Sequence, residues 1–357
     1  MFIEAGAESV NEGDGTDVQA CLVHMGRTGA VGLQSLCDHP QKDAQHHAQH
    51  RSVALHEVPQ PLGHGEHPLA HRQAGEKAYK IQSTVDDIID QLIELEADRK
   101  TTLVGIGGGV ITDIAGYVAA VYMRGLKFGF IPTSLLALVD ASVGGKNGID
   151  VGLYKNMVGV IRQPSFILHD ISLLKSLPHK EWVNGFAEII KHACIKDAAM
   201  FRELEANNLA VYQKKPKLIA VLLQRNAQLK AKVVQEDEFE KSVRRLLNFG
   251  HTLGHAIENE YALMHGHAVA IGMTYACHIS EQLSGFKQTN RVVEVLEQYG
   301  LPTYMAFDRE KAFNLLKMDK KREKKEMNYV LLEKVGKGVV KSIPLVQLEK
   351  IIQALPK

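Results

Sequence analysis

Three stretches of this sequence carry side chains whose types and spacing could do chemistry. His251 and His255, in Asn248-Phe249-Gly250-His251-Thr252-Leu253-Gly254-His255, fall one helical turn apart on a shared face. His265, in Met264-His265-Gly266-His267, adds an imidazole, and Glu188, in Gly185-Phe186-Ala187-Glu188-Ile189-Ile190-Lys191, adds a carboxylate. One carboxylate and two imidazoles from this set would leave positions open on a divalent metal for substrate oxygens. The spacing of His251 and His255 is that of H-E-x-x-H zinc helices, but Thr252 stands where the glutamate belongs, so a metalloprotease would lack its general base.

The second stretch is Gly105-Ile106-Gly107-Gly108-Gly109, a glycine turn between a short apolar run and a longer one. Glycines let a pyrophosphate approach the backbone, and the N–H groups of a following helix are free to receive it. The turn does not match G-x-G-x-x-G, and Asp113, expected in the first helical turn, could cap N–H groups or meet a ribose. The third stretch, Val139-Asp140-Ala141-Ser142-Val143-Gly144-Gly145-Lys146 with Lys155-Asn156 after it, reads as a phosphate-contacting loop, since lysines, an acid and paired glycines sit inside an apolar stretch. Arg124, Lys191, Lys230, Arg244 and Asn248 are further candidate anion ligands, Arg being suited to bidentate contacts. Asp319-Lys320-Lys321-Arg322 is a charged loop that could join them.

The elements that must position these groups differ between the two halves of the chain. Val85, Ile88, Ile89, Leu92 and Leu95 recur at helical spacing, with Ser83 or Thr84 as the expected cap. Thr101 to Ile106 reads as a buried strand, Val110 to Met123 as a buried helix, and Lys127 to Ile131 and Ser165 to Leu168 as further strands. Strand, glycine turn, helix and strand in that order imply a parallel α/β sheet. Beyond Leu177-Pro178 long helical patterns dominate, such as Lys217 to Val234 and Asn290 to Tyr299, with one short strand at Met327 to Leu332. The expected organisation is an α/β domain over residues 73–170 and a mainly helical domain over 171–357. Residues 1–72 are rich in Gln, Gly and His without periodic hydrophobicity, and no fold is assigned to them.

Composition narrows the function classes. Lys+Arg 42 against Asp+Glu 41 leaves no long-range field to draw the chain onto nucleic acid or anionic lipid. Cys21, Cys37, Cys194 and Cys277 form no C-x-x-C pair, which suggests a reducing compartment. Glu4, Glu8, Glu12 and Asp14 stand where a signal peptide needs basic residues, and no apolar run approaches the roughly 18 residues of a membrane span. A cytoplasmic protein with no nucleic-acid or membrane partner is expected.

Taken in order, the motifs resemble the 3-dehydroquinate synthase family. Its patterns GGGV-x-x-D, MRG, PT-[TS]-LLA-x-VD-[SA]-S-[IV]-GGK, KN, G-x-AE-x-IK, R-x-LLNFGHT-x-GHA and HGEAVAIGM appear here at Gly107 to Asp113, Met123 to Gly125, Pro132 to Lys146, Lys155-Asn156, Gly185 to Lys191, Arg244 to Ala256 and His265 to Met273. The resemblance runs from about Gly75 to the C-terminus. It implies an α/β N-terminal NAD-binding domain with a parallel sheet, a mainly α-helical metal-binding domain after it, and a homodimer. By resemblance Glu188, His251 and His265 would bind Zn2+, or Co2+, and His255 would contact substrate. Glu76, Gly108, Gly109, Asp113, Thr133, Ser134, Asp140, Lys146, Lys155 and Glu181 would line the NAD site. Asp140, Lys146, Lys191, His255, Arg124, Asn156, Lys230, Arg244, Asn248 and Lys320 would serve substrate and catalysis.

The implied substrate is 3-deoxy-D-arabino-heptulosonate 7-phosphate. The implied sequence is transient oxidation at C5 by NAD, elimination of phosphate from C7, return of the hydride, and ring opening with intramolecular aldol closure to 3-dehydroquinate. Three departures stand out. The family's first strand, with its ribose-holding acid, is not recognisable in residues 1–72, so the sheet is expected to lack its first strands and to hold the adenosine end weakly. The family's G-E-x-x-K becomes Gly75-Glu76-Lys77-Ala78-Tyr79-Lys80, with the lysine one place late, and His267 takes the glutamate position of HGEAV. Another NAD- and metal-dependent sugar phosphate cyclase, and a non-catalytic or impaired relative, are the alternative readings.

Overall fold

A computed structural model describes residues 20–25, 31–35, 79–152, 154–319 and 325–355. The chain divides into two compact units, Met1–Leu173 and Leu174–Lys357.

The first unit is built on a five-stranded sheet of β1 (Ala20–Met25), β2 (Val31–Ser35), β3 (Thr102–Gly107), β4 (Lys127–Pro132) and β7 (Phe166–Ile167), in the order β2-β1-β3-β4-β7. β1, β3, β4 and β7 run parallel, with Leu22 opposite Val104 and Leu103 opposite Phe128, while β2 closes one edge antiparallel to β1. The expectation that the sheet lacks its first strands is therefore wrong. Ala20 to Met25 is a single short segment, apolar but for His24, and a central parallel strand shows no alternation that could mark it out among polar neighbours.

α1 (Gln82–Glu94) buries Val85, Ile88 and Leu92, as their spacing requires, against a core that includes Leu103, Ile114, Val118, Phe128 and Phe130. Its N-cap is Ile81 with no side-chain cap bond, so Ser83 and Thr84 lie inside the first turn rather than capping it. α2 (Gly109–Val121) follows the glycine turn directly and is buried along most of its length. Two elements that the sequence did not suggest, β5 (Lys146–Val151) and β6 (Tyr154–Ile161), form an antiparallel hairpin. The expected phosphate loop accordingly ends at Gly145, and Lys146 opens a strand.

The second unit is mainly helical: α3 (His179–Lys196), α4 (Ala198–Ala206), α5 (Leu209–Lys214), α6 (Pro216–Glu236), α7 (His251–Glu260), α8 (His265–Ser284), α9 (Thr289–Gln298), α10 (Arg309–Asp319) and α11 (Leu345–Ala354). α3 is buried all round from Trp182 to Ile195, and α8 is nearly so from Ala268 to Cys277, which marks them as the unit's central helices. Phe186 of α3 stacks on Tyr299 at 4.7 Å between ring centroids. The short strand expected at Met327 to Leu332 is β8 (Glu326–Lys334), paired with a second strand, β9 (Lys337–Pro344), that the sequence did not reveal. Among the described residues no helix is long and apolar enough to cross a membrane. Cys194 and Cys277 are buried free thiols.

Candidate active site

In the second unit the crossing of α7 and α8 brings two imidazoles to one carboxylate. Gly272 of α8 lies so close to the Gly250 carbonyl that a Cβ there would collide with its oxygen, and Gly250, left-handed at φ 79°, starts α7 at that point. Small residues permit the close approach. His251, the first residue of α7, and His265, the first of α8, then face Glu188 on the buried α3. The Nε2 atoms of His251 and His265 stand 3.4 and 3.3 Å from Glu188 Oε1. Ligand atoms of all three lie within 4.8 Å of one another.

Both imidazoles are held from behind. His251 Nδ1 is 3.2 Å from the Phe249 carbonyl oxygen, and His265 Nδ1 is 3.2 Å from Glu258 Oε2, so each Nε2 is directed at Glu188. α8 is anchored at its start by the Gly266 N–H, which donates to Asn184 Oδ1 at 2.6 Å, while Asn184 Nδ2 donates to Glu181 Oε2 at 3.2 Å. Glu181, expected at the nucleotide, is thus found in the first turn of α3, tied to the segment that presents His265. Glu181 also works against the burial that lowers the pKa of His267.

Burial alone would raise the Glu188 carboxyl, but the Lys191 ammonium paired with it, followed by His251 and His265, holds it well below the usual carboxylate range. Burial and Lys191 push His251 down, while for His265 the bonds to Glu188 and Glu258 overcome burial and lift it to about 9. A carboxylate kept ionised and imidazoles with directed Nε2 atoms form a donor set that fits zinc or a similar divalent ion. His255 is exposed on α7, its ring centroid 5.2 Å from that of His251 and 6.2 Å from that of His265. It lies outside the group formed by Glu188, His251 and His265.

The anion candidates of this unit lie on elements that pack against one another. Lys191 and Lys230 are buried on α3 and α6, and Arg244 and Asn248 lie in the 3-10 segment Val243–Asn248 that leads into α7. Asp237 braces that segment by accepting N–H bonds from Lys241, Ser242 and Arg244 at 2.8, 2.6 and 3.0 Å. Desolvation opposes its ionisation, yet these bonds bring its pKa down to about 2. The Arg244 guanidinium donates to the Glu238 carbonyl, and Asn248 Nδ2 donates to Glu240 Oε1 at 2.5 Å.

In the first unit Gly108 caps α2 and Gly109 begins it, so the helix N-terminus faces outward from a turn that carries no side chains of its own. A Cβ at Gly108 would meet Ser134 Oγ at 3.4 Å, and one at Gly109 would meet Ala141 Cβ at 3.1 Å. Ser134 and the Asp140 segment therefore border the turn, and the Thr133 N–H donates to the Gly107 carbonyl at 2.9 Å. This bare helix N-terminus fits a pyrophosphate. Asp113 falls in the second turn of α2 rather than the first, and it caps nothing; its carboxylate pairs with Lys80, which also donates to Asn156 Oδ1. Burial lifts the Asp113 pKa, Lys80 opposes this, and Asp140 and Asp150 add to the rise.

Lys80, one place late in the family's G-E-x-x-K and not among the candidate site residues, is brought against Asp113 and Asn156. Lys155 and Asn156 lie on β6, with Asn156 left-handed at φ 53°. Arg124 is exposed, also left-handed at φ 64°, and Lys146 is exposed. Glu76 and Lys320 lie outside the described residues.

Similarity to known proteins agrees with both halves of this arrangement. Residues 70–184 match the family model described as 3-dehydroquinate synthase N-terminal, and residues 185–322 match 3-dehydroquinate synthase C-terminal. A 3-dehydroquinate synthase from Campylobacter concisus (strain 13826) is 40% identical over 283 residues, covering 78% of this chain and 80% of that protein. Among solved structures, a 2-epi-5-epi-valiolone synthase from Streptomyces hygroscopicus subsp. jinggangensis 5008 with NAD+ and Zn2+ bound has 27% identity and a TM-score of 0.71, over 78% of this chain and 79% of that one. A 2-deoxy-scyllo-inosose synthase complexed with carbaglucose-6-phosphate, NAD+ and Co2+ has 27% identity and a TM-score of 0.69, over 77% and 80%. With both family models matched in succession across the glycine turn and the histidine cluster, the chain belongs to the 3-dehydroquinate synthase family.

Proposed function

We propose that this chain converts 3-deoxy-D-arabino-heptulosonate 7-phosphate to 3-dehydroquinate and phosphate, with NAD at the glycine turn and a divalent metal at Glu188, His251 and His265. It is a carbon-oxygen lyase of the 3-dehydroquinate synthase type. The observation that carries the reading is the buried Glu188 carboxylate facing two directed imidazole Nε2 atoms. When bound, NAD supplies a reversible hydride acceptor and the metal acidifies the hydroxyl that is oxidised.

The chain's own residues position and neutralise. Lys191, held against Glu188, keeps a fixed cation beside the hydroxyl-binding side of the cluster. Arg244 and Lys230 are suited to the substrate carboxylate, and a forked guanidinium fixes its orientation. Arg124, Lys146, Asn156, Asn248 and Lys320 complete the anion and hydroxyl contacts in this reading. Lysines and arginines aimed at the departing phosphate stabilise charge that develops only as the C–O bond breaks. His255, exposed beside the metal cluster, contacts substrate in this reading. Asp140 works between nucleotide and substrate, and Thr133, Ser134, Lys155, Glu76 and Glu181 belong to the nucleotide side. A homodimer in the cytoplasm is part of the same reading.

Phosphate release from the acidic heptulosonate phosphate is expected only with both NAD and a divalent metal present, without net accumulation of NADH. Preference for neutral sedoheptulose phosphate would transfer the chain to the other cyclases, and steady NADH formation would transfer it to the dehydrogenases. A second expectation concerns Lys80. Replacing it by Met removes a charge-assisted contact of about 1.5–3 kcal/mol from Asp113 and Asn156, so NAD affinity should fall roughly ten- to a hundredfold by calorimetric titration. Wild-type affinity in Lys80→Met would remove Lys80 from the nucleotide site.

A further inference from the structure

We propose that Glu258 is the positioning residue of the metal centre, holding His265 so that its Nε2 presents a lone pair to the metal; this rests on the metal reading above. Glu258 lies on α7 and is 4% exposed, so its carboxylate is placed deliberately rather than left in solvent. Its Oε2 is 3.2 Å from His265 Nδ1, while the Nε2 of the same ring is 3.3 Å from Glu188 Oε1. The His265 ring is therefore gripped at both nitrogens by carboxylates from two different helices. Where a metal takes the place of the Nε2 proton the ring keeps one N–H, and donating it from Nδ1 to Glu258 leaves the Nε2 lone pair to the metal. His251 receives the corresponding restraint from a backbone carbonyl, the Phe249 oxygen, at 3.2 Å. A carboxylate is the stronger acceptor, so Glu258 both fixes the ring and raises its basicity as a ligand.

A competing arrangement exists in which Glu258 is itself a ligand, because His255, Glu258 and His265 also offer atoms within 4.8 Å of one another. The two roles separate in a double-mutant cycle. A positioning residue acts through His265, so its removal should cost nothing further once His265 is gone, whereas a ligand would still be missed.

Zinc affinity of the full chain is measured by competition with a chromophoric chelator for the wild type, Glu258→Ala, Glu258→Gln, His265→Ala and the double variant Glu258→Ala/His265→Ala. Glu258→Ala should weaken binding roughly ten- to a hundredfold, the range for outer-shell partners of metal-bound histidines. Glu258→Gln, which keeps an oxygen acceptor but loses the charge, should fall between it and the wild type, and it carries the test if Glu258→Ala does not fold. The double variant should bind as His265→Ala does. Wild-type affinity in both Glu258 variants, or a further equal loss in the His265→Ala background, overturns the positioning role. A wild-type chain that takes up no zinc overturns the metal reading and this inference together.

Discussion

His251→Ala protein should be isolated with far less than stoichiometric zinc and without measurable phosphate release. The substitution removes one of the two Nε2 atoms that face Glu188 and leaves His265 as the one imidazole beside it. Outer-shell changes at histidine metal sites already cost up to about a hundredfold in affinity or activity, so loss of a direct ligand should exceed that figure. The fold should survive, because His251 is the first residue of α7 and the helix starts from Gly250. Metal analysis after dialysis and a circular dichroism melt of the same sample separate the two effects. Full zinc occupancy in His251→Ala would remove His251 from the metal site.

Gly272→Ala should act on the same site without touching a ligand. The added methyl would collide with the Gly250 carbonyl and lie 3.0 Å from the Gly254 nitrogen, so α7 and α8 must separate at their crossing. Overpacking of this kind costs about 1–3 kcal/mol, against which the better helix propensity of Ala returns at most about 1 kcal/mol. The melting temperature should fall by several degrees, and zinc affinity should fall with it because His251 and His265 ride on the two helices being driven apart. A variant that melts and binds zinc like the wild type would show that the crossing does not set the distance between the imidazoles.

The 3-10 segment that leads into α7 is held by contacts of Arg244 and Asn248 within the chain. Arg244 is buried, and its Nη1 donates to the Glu238 carbonyl. Glu240, left-handed at φ 57°, supplies the oxygen to which Asn248 Nδ2 donates.

Much of the chemistry was legible in the sequence because it rests on local spacing. Glu188 and Lys191 sit three apart on one helix, where such residues are neighbours, and they do pair. The glycine turn before a buried helix, the long α6 and the amphipathic α1 are likewise short-range patterns, and each is found where the spacing indicates. Spacing alone also put His251 and His255 on one face as a possible ligand pair. The tertiary structure instead joins His251 to His265 through Glu188, because three helices meet there and Gly272 allows two of them to touch. Resemblance had pointed to that set; periodicity could not.

What the tertiary structure decided concerns pairing between distant segments. β1 is a short segment, apolar but for His24, with no periodic mark, and it becomes a strand by lying beside β3 far along the chain. β9 and the β5–β6 hairpin are defined by their partners in the same way. Lys80 joined the site only when Asp113 and Asn156 came together around it, and Glu258 only when α8 brought His265 to its carboxylate. Sequence by itself determined which chemical groups are present and which helical faces carry them, since helical neighbours are set by the 3.6-residue turn. Their convergence follows from strand pairing and helix crossing, which depend on shape complementarity between segments that share no local signal.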